Sequence, residues 1–155
     1  MMKILKGDLI QLAQTGRFDI IVHGCNCFCS MGAGIAKLIR DNFPEAYQAD
    51  LKTGMGEKEK LGTYSLAYIE KNGKIFTIVN GYTQYDFSGH GVLVDYDAVQ
   101  KLFSRIKKNF ATLRIAYPKI GAGLAKGDWD VISCIINKEL QGEDHTLVEY
   151  VLFDS

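Results

Sequence analysis

Short apolar runs of strand length alternate along this chain with segments whose apolar positions recur every three to four residues. Residues Met2–Lys6 read as a first strand, ended by Gly7-Asp8, after which Leu9, Ile10 and Leu12 open a brief helical turn. Phe18–Val22 is a continuous apolar run between Gly16 and the polar His23-Gly24, the pattern of a strand covered on both faces. Behind Gly32 and Gly34, the spacing of Ile35, Leu38, Ile39 and Phe43 predicts a helix that Pro44 stops. Glu45–Leu51 reads as a second helical piece, and Lys52–Lys60, with two glycines and mixed charges, as an exposed loop. Thr63–Glu70 and Lys74–Val79 are strand-like runs joined at Lys71-Asn72-Gly73, where Asn-Gly signals a hairpin between antiparallel neighbours.

The second half repeats this grammar. Asn80–Gly91 has neither period and is dense in glycine, aromatic and amide side chains, so it reads as a functional loop. Asp95–Phe110 is an amphipathic helix with Val99, Leu102, Phe103, Ile106 and Phe110 on one face, acids at its start and Lys107-Lys108 at its end. Leu113–Tyr117 is a short apolar strand running into a second glycine turn, Pro118–Leu124. A helix over Trp129–Leu140, with Ile132, Ile135 and Ile136 inward, precedes a last strand over His145–Phe153. Strands alternating with helices around one hairpin predict an α/β fold whose mixed sheet is covered on both faces. In such folds, ligands bind at the carboxyl ends of the strands.

Composition narrows the class. The 155 residues fit one domain, 1–155, and 47% hydrophobic with 23% charged residues is a globular balance. Eighteen basic residues against eighteen acidic advertise no basic surface, which argues against non-specific nucleic-acid binding or attachment to an anionic membrane. No apolar run is long enough to span a bilayer, and the N-terminus turns polar too soon for a secretory signal, so a cytoplasmic location is expected; the chain is separately expected to be a monomer. Cys25, Cys27 and Cys29 alternate and would share one side of an extended segment, with Cys134 elsewhere. Structural zinc sites use wider gaps and a fourth ligand, so these read as reduced thiols with no metal, and no cofactor is expected.

The candidate chemistry gathers on residues 21–36. Glycines at alternate positions let backbone approach a ligand closely, and the free N–H groups of a helix start attract anions. The two glycine turns, near 31–34 and 121–123, follow two separate strands and can reach one crevice edge, although each alone is also an ordinary tight turn. Asp8 reads either as the cap of its helical turn or as an acceptor for an exocyclic amine. His23 reads either as a hydrogen-bonded strand-end residue or as an acid-base group. A Rossmann fingerprint is set aside because Gly32-Ala33-Gly34 lacks the third glycine, and a phosphate-loop NTPase because Gly-Lys-Ser/Thr never occurs.

His23-x-Cys25-Asn26-Cys27-x4-Gly32-x-Gly34-Ile35-Ala36, with Gly7-Asp8-Leu9 before it and Pro118-x-Ile120-Gly121-x-Gly123-Leu124 after it, resembles the macrodomain family of ADP-ribose binders. Within that family it is most similar to ADP-ribose 1''-phosphate phosphatases and terminal ADP-ribose glycohydrolases. The resemblance implies a three-layer α/β/α fold with a mixed, mostly parallel sheet. It implies a hydrolase acting on ADP-ribose 1''-phosphate or on an ADP-ribosylated protein or nucleic acid end, or alternatively a non-catalytic ADP-ribose reader. By the same resemblance, Asp8 and Leu9 sit at adenine and Asn26 at the distal ribose. Ser30, Met31, Gly32, Ala33, Gly34 and Ile35 cradle one side of the diphosphate; Gly121, Ala122, Gly123 and Leu124 cover the other, and Tyr150 or Phe153 stacks near adenine. The lysine and aspartate of the glycohydrolase scheme correspond to Asn80 and Ala125 here, which leaves His23, Asn26 and Asn80, with the loop Gln84-Tyr85-Asp86 and His90, as candidates for chemistry.

Overall fold

The computed structural model describes residues 1–151. Strands β1 (Lys3–Gly7), β2 (Ile20–Cys25), β3 (Tyr64–Lys71), β4 (Lys74–Tyr82), β5 (Ile115–Tyr117) and β6 (His145–Tyr150) form one sheet in the order β1-β6-β5-β2-β4-β3. Every neighbouring pair is parallel except β3 and β4. That exception follows from the hairpin: Asn72 and Gly73 take φ of 54° and 76°, the left-handed pair whose twist matches two antiparallel strands.

Helices α1 (Leu9–Ala13), α2 (Gly34–Asn42) and α3 (Pro44–Leu51) pack on one face, where Ile39, Phe43 and Ala46 meet Ile21, Ile78 and Ala116. Helices α4 (Tyr96–Asn109) and α5 (Trp129–Glu139) cover the other, where Val99, Leu102, Phe103, Ile132 and Ile136 meet Ile20, Val22 and Val79. Adjacent β2 residues thus enter different cores, which is why Ile20–Val22 is apolar at every position. The result is the expected three-layer α/β/α arrangement.

Several boundaries differ from the sequence reading. β2 continues through His23, Gly24 and Cys25, because these pair with Asn80, Gly81 and Tyr82 of an equally extended β4; Asn80 lies in that strand and not in the loop after it. Pro44 stops α2 and also starts α3 as its first residue, a position that needs no N–H donor. The 52–60 segment is not wholly exposed: it ends in a 3-10 turn, Lys58–Lys60, whose Lys60 is buried. Leu38 faces outward, leaving Ile39 as the buried residue of α2. The chain turns after Cys25, so the three alternate cysteines are all buried but do not share one side of a strand. Among the described residues, no helix is long and apolar enough to cross a membrane, and no group of three His, Cys, Asp or Glu could hold a metal ion.

Candidate functional site

β2 and β5 are sheet neighbours, yet the chain leaves β2 towards α2 on one face and β5 towards α5 on the other. Two loops that diverge from adjacent strand ends leave a crevice between them, the usual ligand position in an open α/β sheet. A pocket of about 540 Å³ lies there, lined by Asn26, Ser30 and Gly32 to Ala36 from the β2 side and by Pro118 to Gly121 and Gly123 to Ala125 from the β5 side. That volume suits a ligand of nucleotide size.

Local geometry explains the glycines. Gly34 opens α2 at φ 59°, and a Cβ built on it would stand 3.2 Å from Cδ1 of Leu124, so the two glycine turns meet across the pocket. Gly121 takes φ 74°, where a Cβ would press on Val94 at 2.6 Å, and its carbonyl accepts from the N–H of Gly127 at 2.6 Å. Gly24 admits no side chain because Thr83 Oγ1 would lie 2.7 Å from a Cβ. The helices differ at their starts. Asp8, Asp95 and Asp128 cap α1, α4 and α5 through their carboxylates, whereas Ala33 leaves α2 without a side-chain cap. The first N–H groups of α2 therefore remain free donors beside the pocket.

Asn26, 8% exposed, lines the pocket and shapes the loop below it. Its Oδ1 accepts from the Phe28 N–H at 2.9 Å, and its Nδ2 donates to the Ser30 carbonyl at 2.8 Å. Of the other residues proposed from sequence, Ser30, Gly32, Ala33, Gly34, Ile35, Gly121, Gly123 and Leu124 line the pocket. Met31, buried in the core of the α2 face, supports the first turn from behind, and Ala122 is not among the lining residues. Asp8 acts as the cap of α1, accepting from the N–H groups of Ile10 at 2.9 Å and Gln11 at 3.3 Å, and Leu9 is buried; neither lines the pocket. Tyr150 is exposed outside it, and Phe153 lies outside the described residues.

His23 and Asn80 are placed elsewhere than a pocket-facing acid-base pair would be. Both are fully buried, paired across β2 and β4, and absent from the pocket lining. Asn80 Nδ2 donates to the Ala46 carbonyl at 2.9 Å and to Ser65 Oγ at 3.0 Å, which orients the amide so that its Oδ1 accepts from His23 Nε2 at 2.6 Å. Burial lowers the His23 pKa to about 4, against the Asn80 hydrogen bond that raises it, so the ring is neutral at pH 7. His145, the first residue of β6, is also buried, with Nδ1 2.6 Å from the Tyr117 hydroxyl, and burial lowers its pKa to about 4 as well.

The pocket also recruits residues that the glycine signals did not single out. Phe87 stands at its wall, 57% exposed, its ring edge-on to Phe28 with centroids 5.9 Å apart. Gln84, noted in sequence only within a loop, lines the pocket and donates Nε2 to the Asp86 carbonyl at 2.8 Å. Lys119 lines it too, its Nζ 4.0 Å from Glu149. An aromatic residue in a glycine-rich loop was the available signal for Phe87; Lys119 is adjacent to the glycine turn and carried none of its own. Among the lining residues there is no carboxylate and no imidazole, and Ala125 contributes only its methyl group.

No protein-family model matches the chain. It is 34% identical over 140 residues to an uncharacterized 17.5 kDa protein in the tk-vs intergenic region of Enterobacteria phage T4, covering 87% of each chain. It is 29% identical over 167 residues to an ADP-ribose 1''-phosphate phosphatase of Debaryomyces hansenii, covering 89% of this chain and 93% of that one. With the ADP-ribose glycohydrolase OARD1 of Bos taurus it shares 27% identity over 150 residues, 96% of this chain and 90% of the relative. The macrodomain of Thermus aquaticus DarG superposes with a TM-score of 0.71 at 21% identity, over 96% of this chain and 98% of that one. That structural likeness speaks for the fold, and the full-length relatives extend it along nearly the whole sequence. By these likenesses the chain has the macrodomain fold.

Proposed function

We propose that this protein binds ADP-ribose in the crevice between β2 and β5 and hydrolyses an ADP-ribose derivative, either ADP-ribose 1''-phosphate or the bond joining ADP-ribose to a modified protein or nucleic acid end. The observation that carries this reading is the pair of glycine turns facing each other across the pocket, with the uncapped start of α2 on one side. A diphosphate offers anionic oxygens on two sides, and backbone donors approaching from both suit it. Lys119 adds a positive charge at the rim nearest β6. Relatives named as a phosphatase and a glycohydrolase of ADP-ribose compounds support the same ligand.

The bond to be broken lies at the distal ribose, towards Asn26, Gln84 and Phe87. Asn26 is the polar side chain available to a ribose hydroxyl, and its loop contacts hold Ser30 in place. Gln84 has its amide nitrogen engaged by the Asp86 carbonyl, leaving the carboxamide oxygen to accept a hydrogen bond from an attacking water. Phe87 covers the same end and limits bulk water. His23 and Asn80 act one layer below, holding the ends of β2 and β4 in register.

Incubating the protein separately with ADP-ribose 1''-phosphate, ADP-ribosylated protein and ADP-ribosylated oligonucleotide identifies the substrate by release of phosphate or ADP-ribose. Gln84→Ala is expected to lower kcat by about 10²-fold with KM changed only a few-fold, the signature of losing water orientation and not binding. Tight ADP-ribose binding with no turnover of any of the three would identify a reader module instead.

A further inference from the structure

The loop that carries Asn26 and Ser30 into the crevice also buries Cys27 and Cys29, and an uncommon partner reaches them. Lys60, only 7% exposed, donates Nζ to the Cys27 carbonyl at 3.2 Å and lies 3.7 Å from Cys29 Sγ, with the Tyr82 ring centroid 4.5 Å away. A buried ammonium is costly unless paired, yet no carboxylate forms an ion pair with Lys60 among the described residues. Asp50 is also buried and close by; its Oδ1 accepts from the Tyr82 hydroxyl at 2.7 Å, and its Oδ2 has no partner. Cys29 is fixed from the other side, its thiol donating to the Asp50 carbonyl at 3.3 Å, on a backbone at φ 56°. Cys25 and Cys27 are directed elsewhere, to the His23 ring and to the Gln84 carbonyl. Cys29 is thus the sulfur that the lysine faces.

We propose that Cys29 and Lys60 are an oxidative modification site, at which hydrogen peroxide joins Sγ to Nζ through a single bridging oxygen. The thiol reduces one peroxide to water and becomes a sulfenic acid. The lysine ammonium loses a proton to solvent, and its amine reduces a second peroxide to water and becomes a hydroxylamine. Condensation of the two hydroxyl groups forms the S–O–N link and expels a third water. Overall, one thiol, one amine and two peroxides give the link and three waters. Two equivalents of a dithiol reverse it to thiol, amine and water. The bridge spans about 2.7 Å from S to N, so the 3.7 Å gap must close by about 1 Å, within reach of a flexible four-carbon stem. The link fastens the Cys27–Ser30 loop to the Lys58–Lys60 turn across 31 positions of sequence.

The full-length protein is treated with hydrogen peroxide, digested and mapped by mass spectrometry. The expected product is a Cys29–Lys60 cross-linked peptide pair about 14 Da heavier than the two free peptides, one oxygen less two hydrogens. It should be accompanied by lost tryptic cleavage after Lys60 and reversal by dithiothreitol. Cross-linking is also expected to raise the thermal midpoint by several degrees, because it constrains the unfolded chain. Lys60→Arg keeps the charge and is expected to abolish the product. A sulfinic acid on Cys29 with Lys60 unmodified, a disulfide among Cys25, Cys27, Cys29 and Cys134, or no mass change would each overturn the assignment. Mapping the unaltered protein decides the matter even if the variant folds poorly.

Discussion

Gly34 concentrates the case for the site in one residue. Its φ of 59° belongs to the left-handed region that side chains rarely adopt, and a Cβ there would reach Leu124 at 3.2 Å. Gly34→Glu adds backbone strain, fills the gap between the two turns and places a carboxylate where an anionic ligand is proposed. ADP-ribose affinity is expected to fall at least 100-fold by calorimetry, while the thermal midpoint drops only modestly; retained affinity would displace the ligand from this crevice. Residues of this kind were legible in the sequence because glycine declares its own conformation. Lys60, Asp50 and His145 were not, since each is buried by partners far along the chain and its side chain alone predicts exposure.

Among the elements, α2 and the loop before it are the ones that build the pocket wall on the β2 side. Three helices have aspartate caps, α2 and α3 begin without a side-chain cap, and of these two it is the start of α2 that lines the pocket. Its loop is ordered by Asn26 acting on Phe28 and Ser30. Asn26→Ala removes both contacts and the proposed ribose partner together. Turnover or ligand affinity is expected to fall by about 10²-fold against a stability loss of about 1 to 2 kcal/mol. Activity assay and thermal melting on the same sample separate the two, and equal affinity with a large melting shift would make Asn26 purely structural. Periodicity, apolar runs and turn signals together found the strands and α-helices, because core contact and tight turns impose them. They missed the end of β2, where His23 and Gly24 interrupt the apolar run but hydrogen-bond across to β4 as firmly as any hydrophobic residue. The pairing partner, and not the composition, extends that strand.

For the molecule as a whole, two neutral imidazoles are enclosed, His23 between β2 and α3 and His145 beside Tyr117. Each has a folded pKa near 4, below the usual 6.5 of an exposed imidazole. Between those values the unfolded chain binds protons that the native one refuses, so stability decreases as pH falls. The slope is up to about 1.4 kcal/mol per pH unit for each imidazole. The Asp19 carboxylate, lowered chiefly by its hydrogen bond to Arg114, adds to the loss at lower pH; Asp50, raised by burial, opposes it. Melting is expected to hold steady from pH 8 to 7 and to fall steeply from pH 6 to 4.5. A midpoint unchanged at pH 5 would show that the imidazoles charge without leaving the core. At this scale the sheet order also sets how the crevice works, because the divergence of β2 and β5 opens it, and Leu124 stands close enough to Gly34 to narrow the gap between its walls. The two walls are therefore coupled through one gap, and a change of side chain in either turn alters the space that both leave to a ligand.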